Sequence, residues 1–348
     1  MSDKVRVGLI GSGFISAIHA EALSRCAEAE LFAVASPSAG RALAFAKQHR
    51  VPHHFRDYRH LLEMKEIDLV IIGIPNDLHC QATLDAAAAG KHIVLEKPMC
   101  LNLAEADRML EACREARVKL MYAEELCFAP KYVRLKQLLD SGALGEPVLL
   151  KQSEKHDGPH APHFWDVNRS GGGVTMDMGC HAIEFFRWLL GRSPVRSVYA
   201  QMGTHVHRRK TRGDDNAILI LEFANGTVAI AEESWTKLGG MDDRAEVHGS
   251  KGVAYADLLH GNAIETYSAS GYDYAVEKAD NTLGWTRPAV DEFSNLGYVS
   301  ELKYFVECVV EKEKPMFGVD GRAGLACIRI VQAMYQSAEK GVTVRGTW

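Results

Sequence analysis

Two stretches of this sequence combine residue types and spacings that could do chemistry. The first is Gly11-Ser12-Gly13-Phe14-Ile15-Ser16, a G-x-G-x-x-S turn. In such a turn the first glycine permits a tight bend and the second lets backbone N–H groups approach a pyrophosphate. The third position needs a small residue for close helix–strand packing, and Ser16 is small enough. A helix opening at Phe14 would add free N–H donors and the positive end of its dipole. The second stretch runs from Lys155 to Asp166, KHDGPHAPHFWD. It places His156, His160 and His163 at i, i+4 and i+7. On a helix these would face one way, as zinc ligands do. Gly158, Pro159 and Pro162 forbid a regular helix there, so no metal is expected. The loop reads instead as a pocket wall. Trp165 offers an apolar face of the sort sugars stack on, and Lys155, His156, His160, His163 and Arg169 supply donors and positive charge. His207, Arg208, Arg209, Lys210 and Arg212 form a second basic run, whose plainer reading is a solvated hairpin tip. Two basic clusters in a net-acidic chain suggest a ligand with an anionic group, such as a sulfonated, carboxylated or phosphorylated sugar.

The elements that must position these residues follow from periodicity. Val5, Val7, Leu9 and Ile10 suit a buried parallel strand. Ile15, Ile18, Ala22 and Cys26 recur at helical spacing from Phe14 onward. Leu31–Ala35 is a second strand, and Ser36-Pro37-Ser38 ends it. Ser36 lies twenty residues beyond Ser16, where NAD-selective folds place an Asp or Glu on the ribose 2′-OH. A serine removes the charge that would repel a 2′-phosphate without supplying an arginine to attract one. Arg41 is the nearest cation. NAD is favoured, and NADP is not excluded. Ser36 can also cap the helix expected over Ser38–His49. Further strands are expected at Ile67–Ile74, His92–Leu95 and Val118–Tyr122, with helices at Asp57–Met64, from His79 through Ala89, and at Leu103–Ala116. This β-α alternation argues for a doubly wound parallel sheet over the first part of the chain.

Beyond Cys127 the rhythm changes. A helix at Tyr132–Ser141 precedes a long strand, Val148–His156, and Thr175–Leu190 reads as one helix ended by Gly191. Strands follow at Val195–Thr204, Ala217–Phe223, Thr227–Ser234, Asp243–His248 and Val253–Asp257, with Asn225-Gly226 and Ser250-Lys251-Gly252 as hairpin turns. Helices at Tyr298–Val310 and Gly321–Ala338 close the chain. The expected fold is α/β. A Rossmann domain covers 1–124. A second α/β domain over 125–348 carries a large, open, mostly antiparallel sheet, and the terminal helices are free to pack back on the first domain.

Composition sets the outer bounds. With 348 residues, two domains are expected. A formal net charge of −5 recommends neither a nucleic acid nor a membrane partner. No apolar run approaches the ~18 residues a spanning helix needs, and MSDKVRV has no signal-peptide apolar region. None of the eight cysteines forms a C-x-x-C pair, so free thiols in a reducing cytoplasm are the simplest reading.

At this point the sequence resembles the glucose–fructose oxidoreductase/inositol dehydrogenase family (Gfo/Idh/MocA) over essentially its whole length. The resemblance is carried by GLIGSGFISAIHA (Gly8–Ala20), PNDLH (Pro75–His79), AGKHIVLEKP (Ala89–Pro98), GGGVTMDMGCHAIEFFRWLLG (Gly171–Gly191) and DDRAEVHGSKGVAYAD (Asp242–Asp257). It implies a nicotinamide cofactor, a sugar, polyol or related carbohydrate substrate, and homodimers or homotetramers through the open sheet face. It implies that Lys97 contacts the reacting hydroxyl and that Asp177 and His181 form an acid–base pair, with His181 also contacting substrate. Gly11, Gly13, Phe14 and Ile15 match the pyrophosphate loop, and Ser36 the ribose selector. Pro75, Asn76 and His79 match a loop lining the cofactor, and Glu96 and Lys97 lie near the nicotinamide ribose.

The residue types suit those roles. Hydride transfer from a C–H requires loss of the neighbouring O–H proton, which a positioned His or Lys can accept. Asp177 and His181 are four apart, so one helix would carry both on one face. Read without the family, Lys97 would be a plain lysine at a strand end and His181 a core histidine. The segment Tyr122-Ala123-Glu124-Glu125-Leu126-Cys127 departs from the family pattern, because it is acidic where many relatives carry an arginine. Glu124 there can face the substrate or remain a solvated carboxylate. Three functions compete: an NAD(P)-dependent sugar or polyol dehydrogenase, a redox-neutral NAD-dependent glycosidase using the same residues, and a non-enzymatic dinucleotide sensor. Retention of Lys97, Asp177 and His181 argues against the sensor.

Overall fold

A six-stranded parallel sheet organises the first part of the protein in the computed structural model, which describes residues 4–191, 193–260, 266–268, 284–286 and 291–348. Its elements are β1 (Val5–Ile10), α1 (Phe14–Ser24), β2 (Ala29–Ala35), α2 (Ala39–His49), β3 (His53–Phe55), α3 (Tyr58–Leu62), β4 (Leu69–Ile72), α4 (His79–Ala88), β5 (His92–Leu95), α5 (Leu103–Ala116) and β6 (Leu120–Tyr122). The strand order is β3-β2-β1-β4-β5-β6, so the order reverses between β1 and β4. All four residues of β4 are buried, as expected of a strand covered by helices on both faces. Asn102 caps α5 by accepting from the Glu105 N–H, and Glu105 returns the bond to the Leu101 N–H, a variant of the reciprocal capping box.

The second sheet has seven strands and is mostly antiparallel. After α6 (Pro130–Asp140) come β7 (Pro147–Lys155), α7 (Val167–Ser170), α8 (Val174–Asp177), α9 (Gly179–Leu189), β8 (Val195–Gly203), β9 (Asn216–Phe223), β10 (Val228–Ser234), β11 (Asp242–Gly249) and β12 (Gly252–Asp257). A short hairpin, β13 (Thr266–Ser268) and β14 (Gly284–Thr286), stands apart. The helices α10 (Glu292–Asn295), α11 (Tyr298–Val310) and α12 (Gly321–Lys340) precede the edge strand β15 (Val344–Arg345). The order is β12-β11-β7-β10-β9-β8-β15, and only the β7–β10 pairing is parallel. One face is covered: Leu150, Gln152 and Glu154 of β7 and Ala229, Ala231 and Glu233 of β10 are buried on it. The other face is open, and alternate residues such as Ile218, Val253 and Tyr255 remain exposed there.

The described residues fall into two compact units, Met1–Glu125 with Asn168–Gly171 and Tyr298–Ile328, and Leu126–Val167 with Gly172–Gly297 and Arg329–Trp348. In the first unit α11 packs on α1 and β1. Among the described residues no helix is long and apolar enough to cross a membrane, and all eight cysteines are free and buried.

One expected element differs. Thr175–Leu190 is not a single helix. It is interrupted at Met178, between α8 and α9, where the His181 N–H bonds the Met178 carbonyl in a tighter i→i−3 turn.

Candidate active site

The first unit gathers its candidate residues at the carboxyl ends of β1, β2, β4 and β5, beside the reversal of strand order. That is where open α/β sheets bind ligands. Gly11 has φ +122°, and a Cβ there would lie 2.2 Å from the Gly73 carbonyl oxygen. Only glycine permits this contact between the β1 and β4 ends. Ser16 is fully buried against the same place, with its Oγ 3.3 Å from where a Gly73 Cβ would sit. A third-position residue must be small for that reason. Gly13 differs from Gly11: a Cβ on it would meet nothing within 4 Å. It is the N-cap of α1, so a ligand can approach the backbone closely at the start of the helix. This cradle fits a dinucleotide pyrophosphate. Phe14 is half exposed and Ile15 half-buried beside it.

Ser36 is buried and accepts a 2.9 Å hydrogen bond from Ser12 Oγ. The glycine turn and the ribose position are thereby joined through two hydroxyls, with no carboxylate between them. Arg41 is exposed on α2.

After β5, the Glu96 carboxylate is fixed at both oxygens. Nε2 of the buried His19 lies 2.6 Å from Oε1, and the Lys97 N–H donates to Oε2 at 3.1 Å. His19 lies in a quoted family stretch, but nothing in the sequence pattern marks it as the partner of Glu96. Lys97 is half-buried, and its peptide bond to Pro98 is cis. His79 is turned into the protein, with its ring nitrogens 3.0 Å from the Pro98 carbonyl and 2.8 Å from that of Ile74. Burial holds its pKa below the usual histidine value, so the neutral ring donates to one of these carbonyls. Its ring lies between the loops that follow β4 and β5. Pro75 is half-buried, and Asn76 is buried and donates to the Ser170 carbonyl at 2.9 Å. Arg169 pairs with Asp77 at 3.1 Å. Glu124 is fully buried next to β6.

In the second unit Asp177 and His181 are both buried. They are brought close by consecutive short helices, not by one helical face. The start of α8 is clamped. Asp214 Oδ2 accepts from Thr175 N at 2.8 Å and Thr175 Oγ1 at 2.6 Å, while Tyr335 donates to Asp214 Oδ1 and accepts from Gly173 N. A Cβ on Gly173 would strike the Asp214 carbonyl at 2.1 Å. Trp235, fully buried after β10, donates its indole N–H to Asp177 Oδ2 at 3.1 Å. Its ring meets Trp165 edge-on at 5.4 Å, and Trp165 also packs edge-on to His207 at 4.9 Å with the Lys210 ammonium 5.0 Å from its centroid. His156 is buried, with Nδ1 2.7 Å from the Gly158 carbonyl and its ring 4.7 Å from His160. In the loop after β7, His156 and His160 thus pack ring to ring, and Trp165 meets Trp235, which holds Asp177. Neither Trp235 nor Asp214 is marked by any motif or spacing in the sequence. Both lie at strand ends far along the chain, and only the sheet order brings them here.

Several expected cations are placed elsewhere. Strand alternation turns Lys155 to the open face, where it pairs with Glu232 at 2.6 Å, opposite in direction to Glu154 and the covered helices. In the basic run, His207 is buried with Nε2 3.0 Å from the Trp235 carbonyl, and Arg208 donates to the Thr204 carbonyl. Asp215 accepts three backbone N–H bonds, from His205, Val206 and His207. Burial alone would raise its pKa, but these bonds bring it below the usual carboxylate range.

Comparison with known proteins agrees with this geometry. Residues 5–124 match the family profile of the oxidoreductase family with an NAD-binding Rossmann fold, and residues 132–255 match the GFO/IDH/MocA C-terminal domain. Inositol 2-dehydrogenase of Rhizobium meliloti (strain 1021) is 33% identical, over 97% of this chain and 98% of that protein. Myo-inositol 2-dehydrogenase of Thermotoga maritima is 28% identical, over 98% of each chain. The structure of GenD2 from gentamicin A biosynthesis in complex with NAD superposes with a TM-score of 0.92 at 27% identity, covering 99% of this chain and 97% of that one. The chain thus belongs to the Gfo/Idh/MocA family of oxidoreductases, with an NAD-binding Rossmann domain at its N-terminus.

Proposed function

We propose that the protein is an NAD-dependent dehydrogenase that oxidises a CH–OH group of a sugar or polyol to a carbonyl. The observation that carries this reading is the retention of every proton-handling group the reaction needs. Lys97 follows β5 at the strand-order reversal with its backbone held by Glu96. Asp177 and His181 are buried together, with Trp235 fixing the carboxylate. When bound, the nicotinamide cofactor supplies the hydride acceptor. In the reaction, Lys97 and His181 orient the substrate hydroxyl and take its proton, and Asp177 stabilises the resulting imidazolium. The wall of His156, His160 and Trp165 contacts the sugar, with Glu124 as a further substrate contact. Inositols are the first substrates to test, because relatives over the full chain length are named for them. Incubation with NAD and a panel of inositols and aldoses should yield NADH in amounts equal to the ketone or lactone formed. Cleavage of an aryl glycoside with catalytic NAD and no net NADH would instead establish the redox-neutral glycosidase.

Cofactor choice rests on Ser36. Without a carboxylate at the end of β2, a 2′-phosphate meets no repulsion. NADP is therefore expected to bind within about tenfold of NAD. Ser36→Asp should weaken NADP binding by at least tenfold, about 1.4 kcal/mol, and leave NAD binding unchanged or tighter. Dissociation constants from calorimetry check both. Equal loss of the two cofactors would count against Ser36 as selector.

The open sheet face is proposed as the assembly surface of a homo-oligomer. Ile218, Val253 and Tyr255 are exposed along it, interspersed with charged residues such as Lys151, Glu232 and Glu246, and a second copy seated there would bury these large apolar side chains. Light scattering on Ile218→Lys/Tyr255→Lys should report a smaller species than the parent.

A further inference from the structure

The covered face of the second sheet carries carboxyl residues where a protein interior does not ordinarily place them side by side. Strand register sets Glu233 of β10 opposite Glu154 of β7, and Glu154 opposite Asp243 of β11. All three are buried, at 1%, 5% and 0% exposure. Like charges directly opposite each other destabilise a sheet, and an ionised carboxylate taken out of water costs several kcal/mol unless paired.

The row is unevenly supplied with donors. Asp243 Oδ1 accepts from Tyr132 Oη at 2.5 Å and from Gln152 Nε2 at 3.4 Å. Both oxygens of Glu233 are buried without a hydrogen-bond partner. The cation that acts on Glu233, Lys155, leaves β7 on the opposite face and is paired with Glu232. Nor is the row a metal cage. Among the described residues of this unit, the carboxylate and imidazole atoms within chelating reach of one another are those of Asp242, Asp257 and His260, not those of the row. What can neutralise Glu233 is a proton, as in carboxylate pairs that share one. The groups facing Glu233 are Asp243, Glu154, Asp177 and, across the strand, Lys155. Asp243 in turn faces Tyr132, Gln152, Asp242 and Asp257. Burial, with Asp243 adding to it, raises Glu233 well above the usual carboxylate range, and burial pushes Asp243 up to about 7.

We propose that Glu233, Glu154 and Asp243 form a buried proton store behind Asp177, and that the proton leaving the oxidised alcohol is held there before it reaches solvent. The inference rests on the dehydrogenase reading above. In that reaction the C–H bond breaks and its hydrogen leaves with both electrons to the nicotinamide. The O–H bond also breaks, and its proton passes through His181 and Asp177 to an ionised member of the row. The row later releases one proton to water, so the balance is one NADH and one proton per carbonyl formed. Glu233 and Asp243 act through Asp177 and are positioning residues.

Stopped-flow measurement of a single turnover at pH 7 tests this, with NAD and myo-inositol as probes and a pH indicator in weak buffer. Proton appearance, scaled to the NADH burst, should lag hydride transfer by several-fold in rate in the parent protein, and the lag should vanish in Glu233→Gln and in the isosteric Asp243→Asn. Proton release in step with NADH in the parent, or a lag retained in both variants, overturns the store. Infrared difference spectra of parent and Glu233→Gln at pH 7, recorded without substrate, supply a second readout. The carbonyl stretch of a neutral carboxylic acid should be present in the parent and reduced in the variant, and its absence from the parent overturns the store regardless of activity. No NADH from any inositol or aldose, with that stretch present, instead removes the dehydrogenase reading and with it the store's place behind the reaction.

Discussion

Lys97→Met should lower turnover of a polyol by about 10³-fold, within the range that a positioned acid–base group contributes, while NAD affinity stays within about threefold. The residue follows β5, and its backbone N–H donates to Glu96. Methionine keeps the unbranched length and leaves that backbone bond intact, so the crevice should survive the change. Calorimetry with NAD and NADH formation under saturating substrate separate the two effects. Retention of more than a tenth of the activity would remove Lys97 from the chemistry. Loss of NAD binding in parallel would make it a cofactor ligand instead.

The second large effect concerns the glycine turn, where two glycines two residues apart serve different physical ends. Gly11→Ala should cost about 3–5 kcal/mol of stability, because the new Cβ would fall 2.2 Å from the Gly73 carbonyl at a φ of +122°. Thermal unfolding should drop by about 10 °C. Gly13→Ala should leave the melting temperature within about 1 °C, since its Cβ meets no protein atom within 4 Å. Its effect should fall on NAD affinity, weakened by at least about tenfold, because that empty space is where the pyrophosphate approaches. If Gly13→Ala bound NAD as the parent does, the cradle would not hold the phosphates. If both variants melted like the parent, the close β1–β4 contact would be wrong.

Which parts of this arrangement were legible from the sequence depended on how far apart in the chain the deciding contacts lie. The Rossmann half was read almost element by element. Helix α5 and strand β5 fall at the expected residues, Leu103–Ala116 and His92–Leu95. Local signals decide such elements: apolar period, caps and a terminating turn. The glycine turn was equally local. Spacing failed where a hydrogen bond to a distant or unexpected group redirects the backbone. Asp177 and His181 are four apart, yet the His181 N–H bonds the Met178 carbonyl and the helix is interrupted between them.

The anionic-ligand expectation met a related obstacle. A count of lysines and arginines carries no facing direction, and strand alternation sent Lys155 to the open face while Asp77 engaged Arg169. The sequence by itself determined the fold class and the dinucleotide turn, because motif and period are properties of neighbours in the chain. The tertiary structure alone decided that Trp235 donates to Asp177, that Ser12 answers Ser36, and that Glu233, Glu154 and Asp243 stand in one buried row. Alternation says which face a residue takes, but the register between strands some eighty residues apart is fixed only when the whole sheet packs against its helices.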